Sequence, residues 1–203
     1  MTLIAEAPVS ARRAMPDAAR RAMIDSQLRV SGVNDPAVLA AMGAVAREDF
    51  VPDALQTNAY VDRALPLGDG AALAAPLVHG RMLVEAALQP GEKVLVVSDG
   101  GYLGALVTAM GGDVTLISTG NAAAKKKSGT WPLILIDGAA EVLPATIAAM
   151  LAADGRIITG VVERGITRLA AGRKAADGIA LMNLAEIGMP VLTAFAAAKS
   201  WSF

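Results

Sequence analysis

The chain has 203 residues, with 18 Lys and Arg residues against 19 Asp and Glu residues and a formal net charge of -1. This balance argues against nucleic acid as a partner, because a protein that binds nucleic acid needs a cationic excess to neutralise phosphates. The absence of cysteine and the presence of a single histidine exclude disulfides, thiolate chemistry and a histidine-rich metal site, and we expect no metal.

The apolar segments predict no membrane span. Uncharged apolar stretches such as residues 142–153, with about twelve residues, are too short to cross a bilayer. The first residues, MTLIAEAPVSARRAM, lack a basic region ahead of the apolar one and do not form a convincing secretion signal. We therefore expect a cytoplasmic protein with no membrane partner.

The N-terminal part of the chain is predicted to contain helices and one loop. Apolar residues at helical spacing predict an amphipathic helix over 17–30. Asp35, followed by proline, predicts the start of a second helix, and a short third helix is expected within 47–55. Residues 61–76, rich in Gly and Pro, are predicted to be an extended loop before a helix over 77–88.

Short apolar strands alternate with helices in the rest of the chain. This order predicts a parallel sheet, and continuously apolar strands predict that helices cover both of its faces. The expected strands are 93–97, 114–117, 133–136 and 156–162, the expected helices are 103–110 and 146–151, and the candidate edge strands are 167–169 and 179–184. We divide the chain into an N-terminal part, 1–90, and a sheet domain, 91–203, that together form one globular unit.

Several segments occur in an order known from one family. They are MIDSQLRV, REDFVPDAL and AYVDRALPLGDG in the N-terminal part, and GEKVLVV and LILIDGAAEVLP in the sheet. Over residues 20–165 the chain resembles the protein-L-isoaspartate O-methyltransferase family. The resemblance implies the fold of class I S-adenosylmethionine-dependent methyltransferases: a Rossmann-like, doubly wound α/β fold with a mostly parallel sheet, helices on both faces and an N-terminal helical extension.

The resemblance also implies a reaction. The family transfers the methyl group of S-adenosylmethionine to the free carboxylate of isoaspartyl residues in damaged proteins, so that S-adenosylmethionine is the implied cofactor and damaged proteins are the implied partners. A carboxylate with an ordinary pKa of about 4 is ionised at pH 7 and needs no general base, so the scarcity of histidine is no objection. Such an enzyme has to align the two reactants and exclude water.

The cofactor loop of the family, Glu-x-Gly-x-Gly-x-Gly-Tyr, is altered in this chain. Val96 stands at the acidic position and Ser98 at the first glycine. Ser98, Asp99, Gly100 and Gly101 are the implied cofactor-binding residues, because glycines let the backbone approach a ligand. An ordinary strand-to-helix turn is the alternative for the two glycines.

Two further cofactor positions are implied beyond this loop. Ser118 stands where the family has an acid for the ribose hydroxyls, and only residues 119–132 separate it from the next predicted strand. Because a parallel crossover needs about a dozen residues, we expect the sheet to lack one helix–strand unit after Ser118. Asp137 follows the third strand, where it is either a cofactor-site residue or a turn or capping residue beside Gly138.

The substrate-binding motif of the family, Gly-x-Gly-Gln-x-Ile-Ser-Gln-Pro, is kept only as a frame. Ala74 stands at the position of the hydroxyl that contacts the isoaspartyl carboxylate, and Ala71 and Ala75 stand at the two amide positions. A methyl group cannot donate a hydrogen bond to a carboxylate. We therefore assign no catalytic residue.

The other candidates are given structural interpretations. Asp62 and Arg63 are expected to pair at the base of the loop, with a substrate contact as the alternative, and His79 is expected to be a surface or core histidine. We assign packing roles to Tyr60, Trp131, Trp201 and Phe203. We expect Lys125, Lys126 and Lys127 to lie in a solvated loop.

Three functional hypotheses remain. The first is methyl transfer to an isoaspartyl or another carboxylate, the second a catalytically lapsed relative that serves as a binding or interaction module, and the third a pocket adapted to another small ligand. Because both binding sites depart from the family pattern, we expect conventional activity to be weak or absent. An uncovered edge strand at 114–117 would favour a homodimer.

Overall fold

The structure is a computed structural model that describes residues 9–124, 128–176 and 178–198. The interpretations of Lys125, Lys126, Lys127, Trp201 and Phe203 lie outside the described residues. In the described part, no helix has both the length and the apolar character needed to cross a membrane.

The N-terminal part begins with helices that follow local sequence signals. Helix α1 (Val9–Met23) continues into a π-helical turn and a 3₁₀ turn, which end at Gly32 with a φ of 85°. Helix α2 (Pro36–Ala44) begins as predicted at Asp35, whose carboxylate accepts hydrogen bonds from the backbone N–H groups of Ala37 and Val38. Two 3₁₀ turns follow, at Arg47–Phe50 and Asp53–Asn58.

The predicted extended loop contains a β-hairpin. Strand β1 (Leu65–Gly68) pairs with β2 (Ala71–Leu73) in an antiparallel two-stranded sheet. The turn is made by Gly68, Asp69 and Gly70, which have φ values of 100°, 50° and 79°. Glycine adopts this left-handed region without strain, and Asp is among the few other residues that tolerate it.

A six-stranded sheet forms the centre of the molecule. Its strand order is β4-β3-β5-β6-β7-β8, in which the first four strands pair in parallel, β7 pairs antiparallel with β6, and β8 pairs antiparallel with β7. The elements, in chain order, are α3 (Pro76–Ala86), β3 (Lys93–Val97), α4 (Tyr102–Ala109), β4 (Asp113–Ile117), α5 (Thr119–Ala123), β5 (Trp131–Ala140), α6 (Ala145–Met150), β6 (Leu151–Glu163), β7 (Ile166–Ala175), β8 (Gly178–Glu186) and a 3₁₀ turn (Thr193–Phe195). The two candidate edge strands are therefore longer than predicted.

Apolar side chains cover both faces of this sheet, as the continuous apolar strands predicted. One buried cluster joins Val94, Val96 and Leu133 to residues of α2, α3 and α4. The other joins Leu95 and Ile134 to residues of α5, α6 and the C-terminal segment. The fold is thus the predicted α/β arrangement with helices on both faces.

The segment between β4 and β5 is short. Its described residues form the five-residue helix α5 and no strand, and β4 lies at the edge of the sheet with β3 as its neighbour. This agrees with a sheet that lacks one helix–strand unit after Ser118. Leu116 on β4 is about half-exposed.

Candidate functional site

A cavity of about 430 Å³ opens at the carboxyl ends of the parallel strands. The hairpin residues 67–72 form one wall, Ser98 and Asp99 after β3 form a second, and residues 190–193 form a third. Thr119 after β4 and Asp137 of β5 complete the lining. Ligands of open α/β sheets bind at this edge, so the cavity is the candidate site.

The C-terminal segment reaches this cavity by pairing with the end of β5. The N–H of Ala139 donates to the carbonyl of Pro190 at 2.8 Å, and the N–H of Leu192 donates to the carbonyl of Ala139 at 2.9 Å. Residues 190–195 had no clear sequence prediction. Their place as a wall of the site follows from long-range pairing, which leaves no local signature.

The structure brings together three of the six predicted cofactor residues as lining: Ser98, Asp99 and Asp137. Gly100 and Gly101 do not line the cavity, but their N–H groups donate to the Ser98 hydroxyl oxygen, each at 3.2 Å. Gly101 has a φ of 77°, which the turn into α4 requires.

Ser118 has a different position from the one implied by the family pattern. Its hydroxyl oxygen accepts from the N–H of Asn121 at 3.2 Å, so it caps α5, and it does not line the cavity. The next residue, Thr119, lines the cavity instead and donates its N–H and hydroxyl to the Asp99 carboxylate at 3.0 and 2.7 Å. Thr119 carries no sequence signal of this role other than its adjacency to Ser118.

Asp137 belongs to β5 rather than to a turn or a helix cap. The pairing of β5 with β6 is irregular between Leu135 and Ala139. Asp137 lies within this irregular stretch and lines the cavity. The carboxylate accepts from the Ser98 hydroxyl at 2.8 Å and lies 2.9 Å from Nε2 of His79. Burial opposes ionisation, but His79, Ser98 and Arg47 outweigh it and hold the pKa of Asp137 below its ordinary value.

His79 is a core histidine, one of the two alternatives expected, and it also has polar partners. It is fully buried in α3, and its Nδ1 lies 3.3 Å from Nη1 of Arg47. Arg47 is fully buried as well and donates to the carbonyls of Ala59 and Ala74. No local pattern revealed these contacts, because the partners are far apart in sequence.

Among the residues that the structure describes, those lining the site include carboxylates but no cation. Its charged lining residues are Asp69, Asp99 and Asp137, and the described residues hold no cluster of three or more potential metal ligands. The Ser98 oxygen accepts two N–H groups while its proton points to Asp137. Because these two N–H groups occupy the lone pairs of the Ser98 oxygen, this hydroxyl is not arranged as a nucleophile, which needs a free lone pair to attack.

The substrate-binding frame is changed in position as well as in side chains. Ala74 is fully buried and does not line the cavity. Ala71 does line it, whereas Ala75 faces a second cavity of about 510 Å³ that Asp62 and Arg63 also line. The expected ion pair between Asp62 and Arg63 is not among the ion pairs of the described residues.

Two of the predicted packing residues are buried. Trp131 lies in the second apolar cluster. Tyr60 packs in the first cluster, and its hydroxyl also donates to Glu48 and accepts from Nε of Arg20 at 2.7 Å. Neither residue lines the candidate site.

Comparison with known proteins identifies the family. The model of the family described as Protein-L-isoaspartate(D-aspartate) O-methyltransferase matches residues 18–124. The protein-L-isoaspartate O-methyltransferase of Methylorubrum populi is 34% identical over 172 residues, covering 72% of this chain and 81% of the relative. That of Methylorubrum extorquens strain PA1 is 36% identical over 168 residues, covering 70% and 74%.

A solved structure has the same fold. It comes from Plasmodium falciparum, is described as a protein-L-isoaspartate O-methyltransferase in complex with S-adenosyl-L-homocysteine, and superposes with a TM-score of 0.66. The two sequences are 18% identical, and the match covers 88% of this chain and 98% of the other. From the family match and the curated relatives, this chain belongs to the protein-L-isoaspartate O-methyltransferase family.

Proposed function

We propose that this protein binds S-adenosylmethionine in the cavity at the carboxyl ends of β3, β4 and β5, and that its methyl transfer to isoaspartyl carboxylates is slow or lost. Cofactor binding is supported by one observation: a single cavity of about 430 Å³ is lined by Ser98, Asp99, Thr119 and Asp137. A nucleoside-sized ligand fits this volume.

The chemistry of the lining residues fits the cofactor. S-adenosylmethionine carries a sulfonium and an ammonium against one carboxylate, so an acidic cavity suits its net positive charge. Asp99 and Asp137 would hold its cationic and hydroxyl groups, and the hairpin would exclude water. When bound, the cofactor supplies an activated methyl group.

The same lining disfavours an isoaspartyl carboxylate. An incoming carboxylate about 8 Å from one Asp side chain is repelled by about 2 kcal/mol at an effective dielectric constant of about 20. Ala74 offers no hydroxyl, and the described residues that line the cavity include no Lys or Arg. Loss of one donor to a reacting oxyanion slows comparable enzymes by about 10²–10³-fold.

Titration calorimetry tests the cofactor half of the proposal. We expect S-adenosylmethionine and S-adenosylhomocysteine both to bind, and Asp99→Asn to weaken the charged cofactor more than the uncharged thioether. Asp113→Asn is the matched control, because Asp113 lies at the opposite, amino end of β4. Absence of heat with either ligand at millimolar concentration would refute cofactor binding.

A methyl-transfer assay on an isoaspartyl peptide tests the substrate half. We expect the rate to be about 100-fold below that of the Methylorubrum populi relative measured in parallel. An equal rate would refute the proposed loss of activity.

The second candidate function is a catalytically lapsed binding or interaction module without a cofactor. It is favoured by the Ser98 hydroxyl, which already satisfies the N–H groups of Gly100 and Gly101 at the start of α4. The calorimetric titration distinguishes the two functions, because only the first requires either ligand to bind.

A further inference from the structure

An unbroken chain of buried polar groups connects two walls of the cavity. It runs from the Ala74 carbonyl at the base of the hairpin through Arg47, His79, Asp137 and Ser98, and it ends at the N–H groups of Gly100 and Gly101, which we call the glycine loop. We call these four side chains the buried relay. Arg47 and His79 are fully buried, and Ser98 and Asp137 are at most 6% exposed.

The donors of the buried relay can be ordered in one direction. Arg47 has only donors, so Nδ1 of His79 accepts from it and the ring proton lies on Nε2, facing Asp137. The second Asp137 oxygen accepts the Ser98 hydroxyl at 2.8 Å, and the lone pairs of that hydroxyl take two backbone N–H groups. Since every group has a partner, another rotamer at any position would leave a buried group unsatisfied.

His79 occupies the middle of the relay without touching the cavity. It is absent from the lining, and both ring nitrogens are engaged, so it is not a catalytic base. Its partners on one side, Asp137 and Ser98, do line the cavity. Its partner on the other side, Arg47, holds the backbone carbonyl immediately after β2.

We propose that His79 is a positioning residue for the cofactor cavity, acting through Asp137 and Ser98 to fix the glycine loop and through Arg47 to fix the base of the hairpin. The expected effect of His79 on ligand affinity rests on the proposed cofactor binding. The effect on the loop does not depend on a ligand.

Three variants of His79 separate positioning from packing. His79→Leu keeps an apolar volume and removes both nitrogens. In His79→Gln the side-chain amide carries a donor and an acceptor about as far apart as the two ring nitrogens, so it can face Asp137 and Arg47 together. His79→Asn is too short to reach Asp137. Met82→Leu, a nearly volume-conserving change in the same buried helix, is the control.

Amide hydrogen exchange and calorimetry with S-adenosylhomocysteine are the two measurements. In His79→Leu we expect the Gly100 and Gly101 amides to exchange about tenfold faster and the ligand to bind about tenfold more weakly. His79→Gln should restore both values to within about threefold of the wild type, and Met82→Leu should leave both unchanged.

Each outcome decides between the alternatives. Unchanged protection of Gly100 and Gly101 in folded His79→Leu would overturn the inference. If His79→Leu does not fold, the comparison of His79→Gln with His79→Asn decides, and equal protection in these two variants would overturn it. If the wild type binds no ligand, the proposed cofactor binding fails, while the exchange data still test His79.

Discussion

Replacing Asp137 by Asn tests the electrostatics of the site most directly. Asp137 is the carboxylate of the buried relay, and Arg47 is a fully buried cation whose partners are carbonyls and His79. The variant is nearly isosteric, so the change removes the charge with little change in packing.

The cost follows from two effects. The new amide has one NH₂ group where the carboxylate had two acceptor oxygens. In one orientation this NH₂ faces the His79 N–H, so that two donors meet; in the other it faces the Ser98 oxygen, which already accepts two N–H groups. Arg47 also loses its nearby negative charge. Leaving a buried charge uncompensated costs up to about 3–5 kcal/mol. Because His79 lies between Arg47 and Asp137 and Arg47 keeps two carbonyl partners, we expect the free energy of unfolding to fall by about 3 kcal/mol, at the lower end of that range.

Denaturant unfolding and thermal melting measure this change. A loss of about 3 kcal/mol corresponds to a fall in Tm of about 6–12 °C in a chain of this length. Asp69→Asn is the control, since Asp69 lies in the hairpin turn at a φ of 50°, which Asn tolerates. An Asp137→Asn variant as stable as the wild type to within about 0.5 kcal/mol would contradict the role assigned to the carboxylate.

The same variant has a predicted pH dependence. Because the pKa of Asp137 is lower in the folded than in the unfolded chain, the carboxylate contributes its full stability above its unfolded pKa of about 4. That contribution is lost as the pH falls towards the folded pKa. The stability difference between wild type and variant should therefore narrow below about pH 4, and a constant difference down to about pH 2 would contradict this assignment.

Three further predictions concern the scaffold. Arg156→Met should lower the free energy of unfolding by about 1–3 kcal/mol, because Arg156 donates to the Glu92 carboxylate at 2.6 and 2.8 Å and to two carbonyls at the end of α3. Arg168→Met is the control, since the ion pairs of Arg168 are exposed. Gly160→Ala should cost about 1–3 kcal/mol, because the new Cβ would lie 2.8 Å from backbone atoms of β5, whereas Gly120→Ala meets nothing within 4 Å. If the β4 edge pairs two copies, the wild type should sediment as a homodimer and Leu116→Lys as a monomer, and a monomeric wild type would refute this expectation.

Local signals predicted much of the scaffold correctly. The apolar runs predicted strands whose carboxyl ends meet at one edge, and Asp137 was expected there. Ser98 and Asp99 were implied by the resemblance to the family's cofactor loop, and all three residues line one cavity. Asp35 predicted the start of α2 by the same kind of local rule, since a capping side chain bonds to N–H groups two or three residues away.

Long-range contacts were beyond the reach of such signals. His79 is separated from Arg47 by 32 positions and from Asp137 by 58, and neither separation has a periodicity that predicts contact. The hairpin turn depended on three consecutive left-handed residues, one of them an aspartate whose φ no pattern specified. The wall formed by residues 190–193 depended on pairing with β5.

The sequence by itself determined the fold class, the family and the altered motif positions, because each depends on residue type and local order. Only the tertiary structure decided that Thr119 lines the cavity in place of Ser118, that Ala74 is buried away from it, and that His79 joins its two walls. The physical reason is that a buried polar group needs a partner, and packing of distant segments decides which one it finds.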